Sequence, residues 1–334
     1  MITKNENRNV TIKDVAREAG VAVSTVSRVI NNLDRVSDNT RNKVNDAIKK
    51  LNFVQNNNAV SIVTGQTKTI LILIPNFIYN FFGTVVNGAV NNLNEKGYNS
   101  MVICTGEQNL TQYLNKYSNM VDGVLIIPGT EDLKELYGFN KPVVFVDRFI
   151  DGMEFDSVTV NNQEGTRKLT QLLIDNGHKH IAIIVGDNNF NVGLGRLDGY
   201  IQCLKENHLK IKQSYIRKGK MIEGVGYKET KALLELQNPP TAIIACNNKL
   251  ALGCANALNE LHLICGEDMS IVAFDDSDMA KVYGPGLTVA FAPKEMLGKK
   301  SSEHLLSLIE NKPVDKHELI DVEIRIRGSI KKLC

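Results

Sequence analysis

From Lys68 onward, short apolar runs alternate with longer amphipathic stretches. The predicted strands are Thr69–Ile74, Asn99–Cys104, Val124–Ile127, Val143–Val146, Ile181–Val185, Ala242–Ala245 and Ser270–Ala273. The predicted helices are Phe82–Lys96, Glu164–Asn176, Arg196–Asn207, Gly226–Leu236, Lys249–Leu261 and Glu295–Ile309. This alternation is typical of an α/β fold, in which helices connect the strands of a parallel sheet. Because about 265 residues follow the pattern, which is too many for one small sheet, we expect two doubly wound parallel-sheet subdomains.

The N-terminal segment follows a different, entirely helical pattern. Thr11 and Asp14 are spaced as in a capping box that opens a first helix, and Gly20 ends that helix. A second helix is predicted from about Val23 to Asn31, and Ser37 is placed to cap a third. Three short helices with a short turn after the first indicate an all-α helix-turn-helix head.

These patterns divide the chain into three parts. Residues 1–54 form the helix-turn-helix domain, residues 55–67 a hinge or linker, and residues 68–334 the α/β core. Within the core we expect an N-subdomain of about 68–160 and 292–320 and a C-subdomain of about 161–291 and 321–334.

Composition restricts the class of protein and the cellular compartment that we expect. Among 334 residues, 43% are hydrophobic and 23% charged, as in an ordinary globular protein. No apolar run is long enough to span a bilayer, and the N-terminus lacks the apolar region of a signal peptide, so we expect a cytoplasmic protein without membrane contact. The six cysteines form no CxxC pair and are interpreted as buried thiols in a reducing compartment.

Charge is distributed unevenly along the chain. Residues 1–58 carry ten Lys and Arg against six Asp and Glu, whereas the whole chain has a net charge of +2. A basic head on a near-neutral body favours a polyanionic partner for the head.

Polar and aromatic groups follow four of the predicted strands. Phe81 and Phe82 lie beyond the first strand. The other three strands are followed by Asp147–Arg148, Asn247–Asn248 and Asp275–Asp276. Because ligands of open α/β sheets bind beyond the carboxyl ends of the strands, these groups are expected to line a cleft. A single aspartate there is more often a helix cap, but four such positions together favour a binding site for a polyol such as a sugar.

Signatures of catalysis are missing from the sequence. Neither GxSxG nor HExxH occurs, and Gly298–Ser301 resembles the end of a phosphate-binding loop except that Pro293 replaces its first glycine. His178 and His180 are interpreted as surface histidines rather than metal ligands. We therefore expect no catalytic residues, no metal and no cofactor.

The head residues Thr11–Ala16, Gly20–Val21 and Ser24–Asn31 closely resemble the start of the LacI/GalR family of bacterial transcription repressors, and the resemblance extends over about residues 10–330. Its body motifs are Phe81–Phe82, Asp122–Gly123, Val146–Arg148, Gly177–His178, Gly195–Arg196, Gly199–Tyr200, Phe274–Asp276 and Leu287–Thr288. The resemblance implies a homodimer that binds a pseudo-palindromic double-stranded operator. It also implies a core like that of ribose-binding protein and other periplasmic binding proteins, which senses a small-molecule effector.

The resemblance assigns base reading to the second helix, which enters the major groove by its N-terminus. Its apolar positions face the bundle and leave Val23, Ser24, Ser27 and Arg28 outward. Arg28 is the candidate for reading a guanine, Val23 for contacting a thymine methyl, and Ser24 for contacting a base or a phosphate. The expected phosphate contacts are Thr11, Thr25, Ser27 and Asn31.

The linker and the start of the second helix depart from the family pattern. Asn56 and Ala59 match the DNA-contacting hinge helix, and Ile62 stands where the family inserts a leucine into the minor groove. Gln55 and Val60 replace the usual proline and arginine, and Ala22 replaces the usual N-cap serine. We expect the loss of the arginine to remove about one phosphate contact.

In the core, the resemblance implies an effector site like that of the sugar-sensing members. The implied site residues are Tyr79, Phe81, Phe82, Asp147, Arg148, Phe190, Arg196, Asn247 and Asp275. Tyr79, Asn248 and Ala292 replace residues common in ribose sensors, which argues for a sugar other than ribose. Phe190 stands where the purine-sensing member has an arginine, which argues against a purine.

The sequence therefore predicts a DNA-binding transcription regulator, a repressor controlled by a sugar-like effector. Two alternatives remain open. One is a catabolite-control regulator whose effector is a phosphorylated carrier protein, and the other is an exported sugar-binding protein.

Overall fold

The computed structural model describes residues 10–30, 36–54, 65–78, 80–106, 110–129, 136, 138–149, 154–186 and 190–333. The chain divides into two compact units, Met1–Thr67 and Lys68–Cys334. No helix in these ranges is long and apolar enough to cross a membrane.

The first unit contains helices α1 (Ile12–Ala19), α2 (Val23–Ile30) and α3 (Asp38–Lys50). The Asp14 carboxylate accepts a hydrogen bond of 3.0 Å from the Thr11 backbone N–H, and Gly20 ends α1 in a left-handed conformation, as predicted. Ser37 caps α3 by accepting the Thr40 N–H. The core shared by the three helices is centred on Val15, Val26 and Val44, which are fully buried.

The second unit contains two six-stranded sheets. The first has the order β11-β5-β4-β3-β1-β2, and all of its strand pairs are parallel. Its strands are β1 (Thr69–Ile74), β2 (Asn99–Cys104), β3 (Gly123–Ile126), β4 (Val143–Val146), β5 (Asp156–Val160) and β11 (His317–Ile320). Its helices are α4 (Asn80–Glu95), α5 (Leu110–Tyr117) and α11 (Lys294–Ile309). We call this sheet and its helices the first lobe.

The second sheet has the order β12-β10-β9-β8-β6-β7, in which only β12 runs antiparallel to its neighbour. Its strands are β6 (Ile181–Gly186), β7 (Ile216–Gly219), β8 (Ala242–Ala245), β9 (Ser270–Phe274), β10 (Thr288–Phe291) and β12 (Glu323–Arg325). Its helices are α6 (Asn162–Asp175), α7 (Asn191–Glu206), α8 (Glu223–Leu234), α9 (Asn248–Glu260) and α10 (Asp278–Val282). We call this sheet and its helices the second lobe.

The chain crosses between the lobes three times, after β5, after β10 and after β11. The two sheets explain the alternating sequence pattern, because each central strand is buried on both faces. In β1, Ile70, Ile72 and Ile74 pack towards α4, while Leu71 and Leu73 pack towards α5. This two-sided burial is what produces an uninterrupted apolar run instead of strict alternation.

The expected doubly wound α/β fold with two parallel sheets is confirmed, and β1, β2, β4 and β8 have the predicted bounds. The sequence pattern does not predict the strands β5, β7, β10, β11 and β12 or the helices α5 and α10. The strands β2, β7, β11 and β12 occupy sheet edges, and three of these four were missed because edge strands carry more polar and charged residues than central ones.

Candidate functional site

The outward face of α2 is the candidate DNA-reading surface of the first unit. Val26 and Val29 are buried against α1 and α3, which turns Val23, Ser24 and Arg28 to the exposed side. Val23 has 40% of its surface exposed although it is apolar, and Thr25 and Ser27 are half-buried at the margins of this face. Within the described part of the head, Arg28 has no ion-pair or hydrogen-bond partner.

Thr11, a predicted phosphate contact, takes part in the capping box that opens α1. Its hydroxyl donates to Asp14 Oδ2 at 2.7 Å, and its backbone N–H donates to the same oxygen at 3.0 Å. Both donors of Thr11 are therefore occupied by the capping box, and a phosphate would have to compete with Asp14 for them. Five predicted site residues lie outside the described residues: Asn31, Asn56, Ala59, Ile62 and Tyr79.

In the second unit, the predicted effector residues lie at the carboxyl ends of the strands of both lobes. Asp147 and Arg148 follow β4, Asp275 follows β9, and Asn247 comes two residues after β8. Phe81 and Phe82 belong to the first turn of α4, while Phe190 immediately precedes α7 and Arg196 lies in its second turn. All of the described effector-site candidates therefore lie at the carboxyl ends of the strands, where ligands bind in such folds.

Asp147 connects the two lobes electrostatically. It is buried and takes a left-handed φ of 72°, and its Oδ2 accepts hydrogen bonds from Arg148 Nε and Nη2, both at 3.1 Å. Burial raises the pKa of Asp147, and the positive charges of Arg148 and Arg196 oppose that shift. Arg196 and Asp275, whose charges also act on the pKa of Asp147, belong to the second lobe.

Arg196 is held rigidly inside the second lobe, where only 5% of its surface is exposed. Its Nε donates to Asn162 Oδ1 at 2.8 Å, its Nη1 donates to the Cys246 carbonyl, and its guanidinium lies 3.7 Å from the centre of the Phe274 ring. These bonds use two of the five N–H donors of the guanidinium, so the group is oriented while most of its donors are left for other partners.

Asn247 acts as the N-cap of α9. Its Oδ1 accepts the Leu250 N–H at 2.7 Å, and its Nδ2 donates to the Met221 carbonyl at 3.1 Å. One amide hydrogen and one lone pair of the side chain remain for a ligand. For Asn247, the capping of α9 is therefore compatible with a role in ligand binding.

The neighbouring residues Asp275 and Asp276 have separate environments. Asp275 takes a left-handed φ of 71°, and none of the described residues pairs with its carboxylate. The side chain of Asp276 is only 2% exposed and binds Arg325 at 2.6 Å and Arg327 at 2.9 Å. Burial alone would raise the pKa of Asp276, but the hydrogen bonds from the two arginines lower it. Asp276 therefore forms structural ion pairs that join the end of β9 to the segment around β12, and it is not a cleft group.

The two predicted aromatic contacts of α4 differ in exposure. Phe81 is half-buried with Lys294 Nζ 5.7 Å from its ring centre, and it meets Phe82 edge to face at 5.5 Å. Phe82 is buried among the core residues of the first lobe. Phe81 is therefore the ring that is open to a ligand.

Sequence reasoning missed three groups around the cleft: Asn162, which orients Arg196; the Cys246 carbonyl; and Asn191, which contacts the first lobe. Asn162 and Asn191 both open helices that follow strands, and this position is the only sequence signal that points to them.

The interpretation of His178 as a surface residue is wrong. The side chain is fully buried and bonds to Thr241 Oγ1 at 2.8 Å, to the Lys331 carbonyl at 2.9 Å and to Ser270 Oγ at 3.0 Å. His178 therefore joins the starts of β6, β8 and β9 to the C-terminal segment. Across the part of the chain that the structure describes, no cluster of His, Cys, Asp and Glu has the arrangement of a metal site.

Family models match both units of the chain. Residues 11–56 match the model described as bacterial regulatory proteins, lacI family, and residues 170–330 match a periplasmic binding protein-like domain. The probable HTH-type transcriptional repressor ExuR of Bacillus subtilis is 31% identical, with 97% of this chain and 99% of the relative covered. The HTH-type transcriptional repressor PurR of Proteus mirabilis is 34% identical, with 95% of each chain covered.

Solved structures show the same likeness. The Lac repressor dimer bound to operator and the anti-inducer ONPF has a TM-score of 0.85 and 27% identity, with 97% of this chain and 100% of that chain covered. A complex of the transcriptional regulator CelR with cellobiose has a TM-score of 0.73 and 27% identity, with 96% of this chain and 99% of that chain covered.

Proposed function

The chain belongs to the LacI family of bacterial regulatory proteins, and from this premise we propose that it is a cytoplasmic, homodimeric repressor controlled by a sugar-like effector. Its relatives are transcriptional regulators and not enzymes. In the proposal, residues 1–54 bind DNA, residues 55–67 link the head to the core, and the cleft between the lobes holds the effector.

The observation that carries the DNA-binding part is the outward face of α2. It combines an exposed guanidinium on Arg28, a small hydroxyl on Ser24 and an exposed apolar side chain on Val23. An arginine offers paired donors to guanine O6 and N7, and an apolar group contacts the thymine methyl, so this face suits the major groove. Two heads related by a dimer axis would read the two halves of a pseudo-palindromic site.

The effector part is supported by the chemistry of the cleft. Asp275 offers an unpaired carboxylate, Asn247 one free amide hydrogen, Arg196 further guanidinium donors, and Phe81 an exposed ring face. Sugars present hydroxyl groups at their edges and C–H groups on their faces, which matches planar polar groups beside an aromatic ring. The complex of the similar regulator CelR with cellobiose agrees with this class of ligand.

Residues that depart from the ribose-sensing pattern narrow the proposal. Ala292 is buried and apolar where the pattern has a glutamine, and the buried Asn248 Oδ1 atom has no hydrogen-bond partner among the described residues. Phe190 is a buried ring beside Arg148 instead of a donor to a purine. We therefore expect a sugar other than ribose and no purine corepressor.

The DNA-binding part is tested by selecting duplexes from a random pool with the full-length protein at low salt. We expect enrichment of a palindrome whose half-sites lie about one helical turn apart. A pool that shows no enrichment over scrambled sequence would contradict the proposal.

The effector part is tested by a thermal-shift screen against pentoses, hexoses and their phosphates. A sugar present at about 100 times its dissociation constant should stabilise the core by about 2.7 kcal/mol. If no sugar raises the melting temperature while the head still selects a palindrome, the effector belongs to another class, such as a phosphorylated carrier protein.

A further inference from the structure

The two lobes touch across the cleft at a place separate from the three chain crossings. The Phe149 backbone N–H, three residues after β4 in the first lobe, donates to Asn191 Oδ1 at 2.8 Å. The Asn191 backbone N–H, at the start of α7 in the second lobe, donates in return to the Phe149 carbonyl at 3.1 Å. A single asparagine thus makes a reciprocal pair of hydrogen bonds to one backbone position of the other lobe.

Both halves of this contact are anchored in their own lobes. The Phe149 ring stacks on His317 of β11, with a centroid distance of 5.0 Å and an interplanar angle of 10°, and His317 Nδ1 shares a hydrogen bond of 2.8 Å with Ser157 of β5. Asn191 is the first residue of α7, where backbone N–H groups have no acceptor within the helix. The Phe149 carbonyl therefore completes the end of α7, and separating the lobes would break both bonds.

The contact also sets the position of Arg148. Arg148 precedes Phe149, and its guanidinium binds Asp147 in the first lobe and lies 5.6 Å from the centre of the Phe190 ring in the second. Phe190 precedes Asn191 in the chain, so the Phe149–Asn191 pair aligns Arg148 and Phe190 on opposite walls of the cleft.

We propose that Asn191 is a positioning residue that holds the cleft in its effector-binding arrangement by fastening the Phe149 backbone to the start of α7. The inference rests on the proposed function only in taking the cleft to be the effector site. Effector affinity then depends on Asn191 because only molecules in which the pair is formed present both walls together.

The test is hydrogen–deuterium exchange at the Phe149 amide in the full-length protein without added ligand. Asn191→Ala removes the acceptor of that amide, and we expect exchange about five times faster, as for the loss of one ordinary hydrogen bond. Asn191→Asp keeps an acceptor at the same place and should restore slow exchange. Asn256→Ala is the matched control, because it removes a 2.8 Å side-chain bond to Glu223 within the second lobe; it should leave the Phe149 amide unchanged.

Exchange along the rest of α7 separates positioning from a general structural role. Alanine is a good helix former, so Asn191→Ala should leave the exchange of the interior amides of α7 unchanged. Any sugar that stabilises the wild-type protein should bind Asn191→Ala more weakly, by up to about the same fivefold factor. Unchanged exchange at Phe149, or faster exchange along the whole of α7, would overturn the inference, whereas a screen in which no sugar binds would count only against the sugar effector.

Discussion

At the scale of single residues, the cleft depends on two aspartates with the same unusual backbone conformation. Asp147 after β4 and Asp275 after β9 both have φ values near 70°, and each donates its backbone N–H to the neighbouring strand. Aspartate tolerates the left-handed region better than most residues. The turn at each strand end therefore constrains the residue type as well as presenting its carboxylate.

Asp275 and its neighbour Asp276 provide a matched pair for testing the cleft. We expect Asp275→Ala to abolish the effector response and Asp275→Asn to weaken effector binding about ten- to a hundredfold, because a charge-assisted hydrogen bond is lost. Operator affinity without effector should stay unchanged in both. Asp276→Asn should instead lower thermal stability, since it leaves Arg325 and Arg327 without their buried partner. Normal effector titration of Asp275→Asn would remove Asp275 from the site.

In the proposed function, Arg28 is the residue of the head that reads a base. Arg28→Ala should weaken binding to a selected palindrome by about 1–3 kcal/mol and binding to a scrambled duplex much less, because a base contact is lost. Fluorescence anisotropy with both duplexes measures the difference. Lys49→Ala, which removes another exposed cation of the head, should change both affinities by a common factor. Equal losses on both duplexes for Arg28→Ala would contradict base reading.

At the scale of elements, the helices of the core pack in pairs through glycines. A Cβ added at Gly226 of α8 would lie 2.2 Å from the Leu250 carbonyl of α9, and one at Gly298 of α11 would lie 1.9 Å from the Val85 carbonyl of α4. Gly199 of α7 approaches the Gln163 carbonyl of α6 in the same way. The three pairs hold the helices close enough that any side chain at these positions would separate them.

Two glycines of α8 isolate this packing from helix propensity. Gly226→Ala should destabilise the core by about 1–3 kcal/mol, because α8 and α9 must move apart. Gly224→Ala meets nothing within 4 Å and should be neutral or stabilising by up to about 1 kcal/mol, since alanine favours helix. Thermal denaturation of the two variants measures the difference, and equal melting temperatures would contradict the packing argument.

His178, which joins the starts of three strands, predicts that the stability of the core depends on pH. Burial lowers the pKa of His178 below its ordinary value of 6.5, so the folded state resists a proton that the unfolded state accepts. The free energy of unfolding should therefore be unaffected by His178 above pH 6.5. As the pH falls below 6.5, it should decrease by at most about 1.4 kcal/mol per pH unit. Between pH 7.5 and 5.5, the melting temperature should change less with pH for His178→Gln than for the wild type. For the exposed His208→Gln variant, the melting temperature should change with pH at the wild-type slope. A common slope for all three proteins would refute this role.

At the scale of the whole molecule, the proposed repressor couples two sites in separate units. If effector changes operator affinity by some factor, operator must change effector affinity by the same factor, because binding free energies are reciprocal. Titrating the stabilising sugar with and without operator duplex should therefore give the ratio found by titrating operator with and without the sugar. A ratio of one in both directions would mean that the cleft does not control the head.

Prediction from sequence succeeded where local residues determine the outcome. The capping box of Thr11 and the runs of β1 and β8 depend on neighbours along the chain, and the structure confirms them. Prediction failed for strands that form by pairing with a segment distant in the chain. The charged edge segment β7 becomes a strand by pairing with β6, and the short edge strand β12 pairs with β10. Such strands are stabilised by partners distant in sequence, which leave little trace in local composition.

The amino-acid order alone determined the helical head, the succession of strands and helices and the family resemblance, because helix caps and apolar periodicity act over a few residues. Only the tertiary structure decided which of two adjacent aspartates is free, that His178 is buried, and that Asn191 reaches Phe149. Each of these depends on crossings and strand order that bring together residues far apart in the chain, and a residue's type does not specify the partner that the folded chain places beside it.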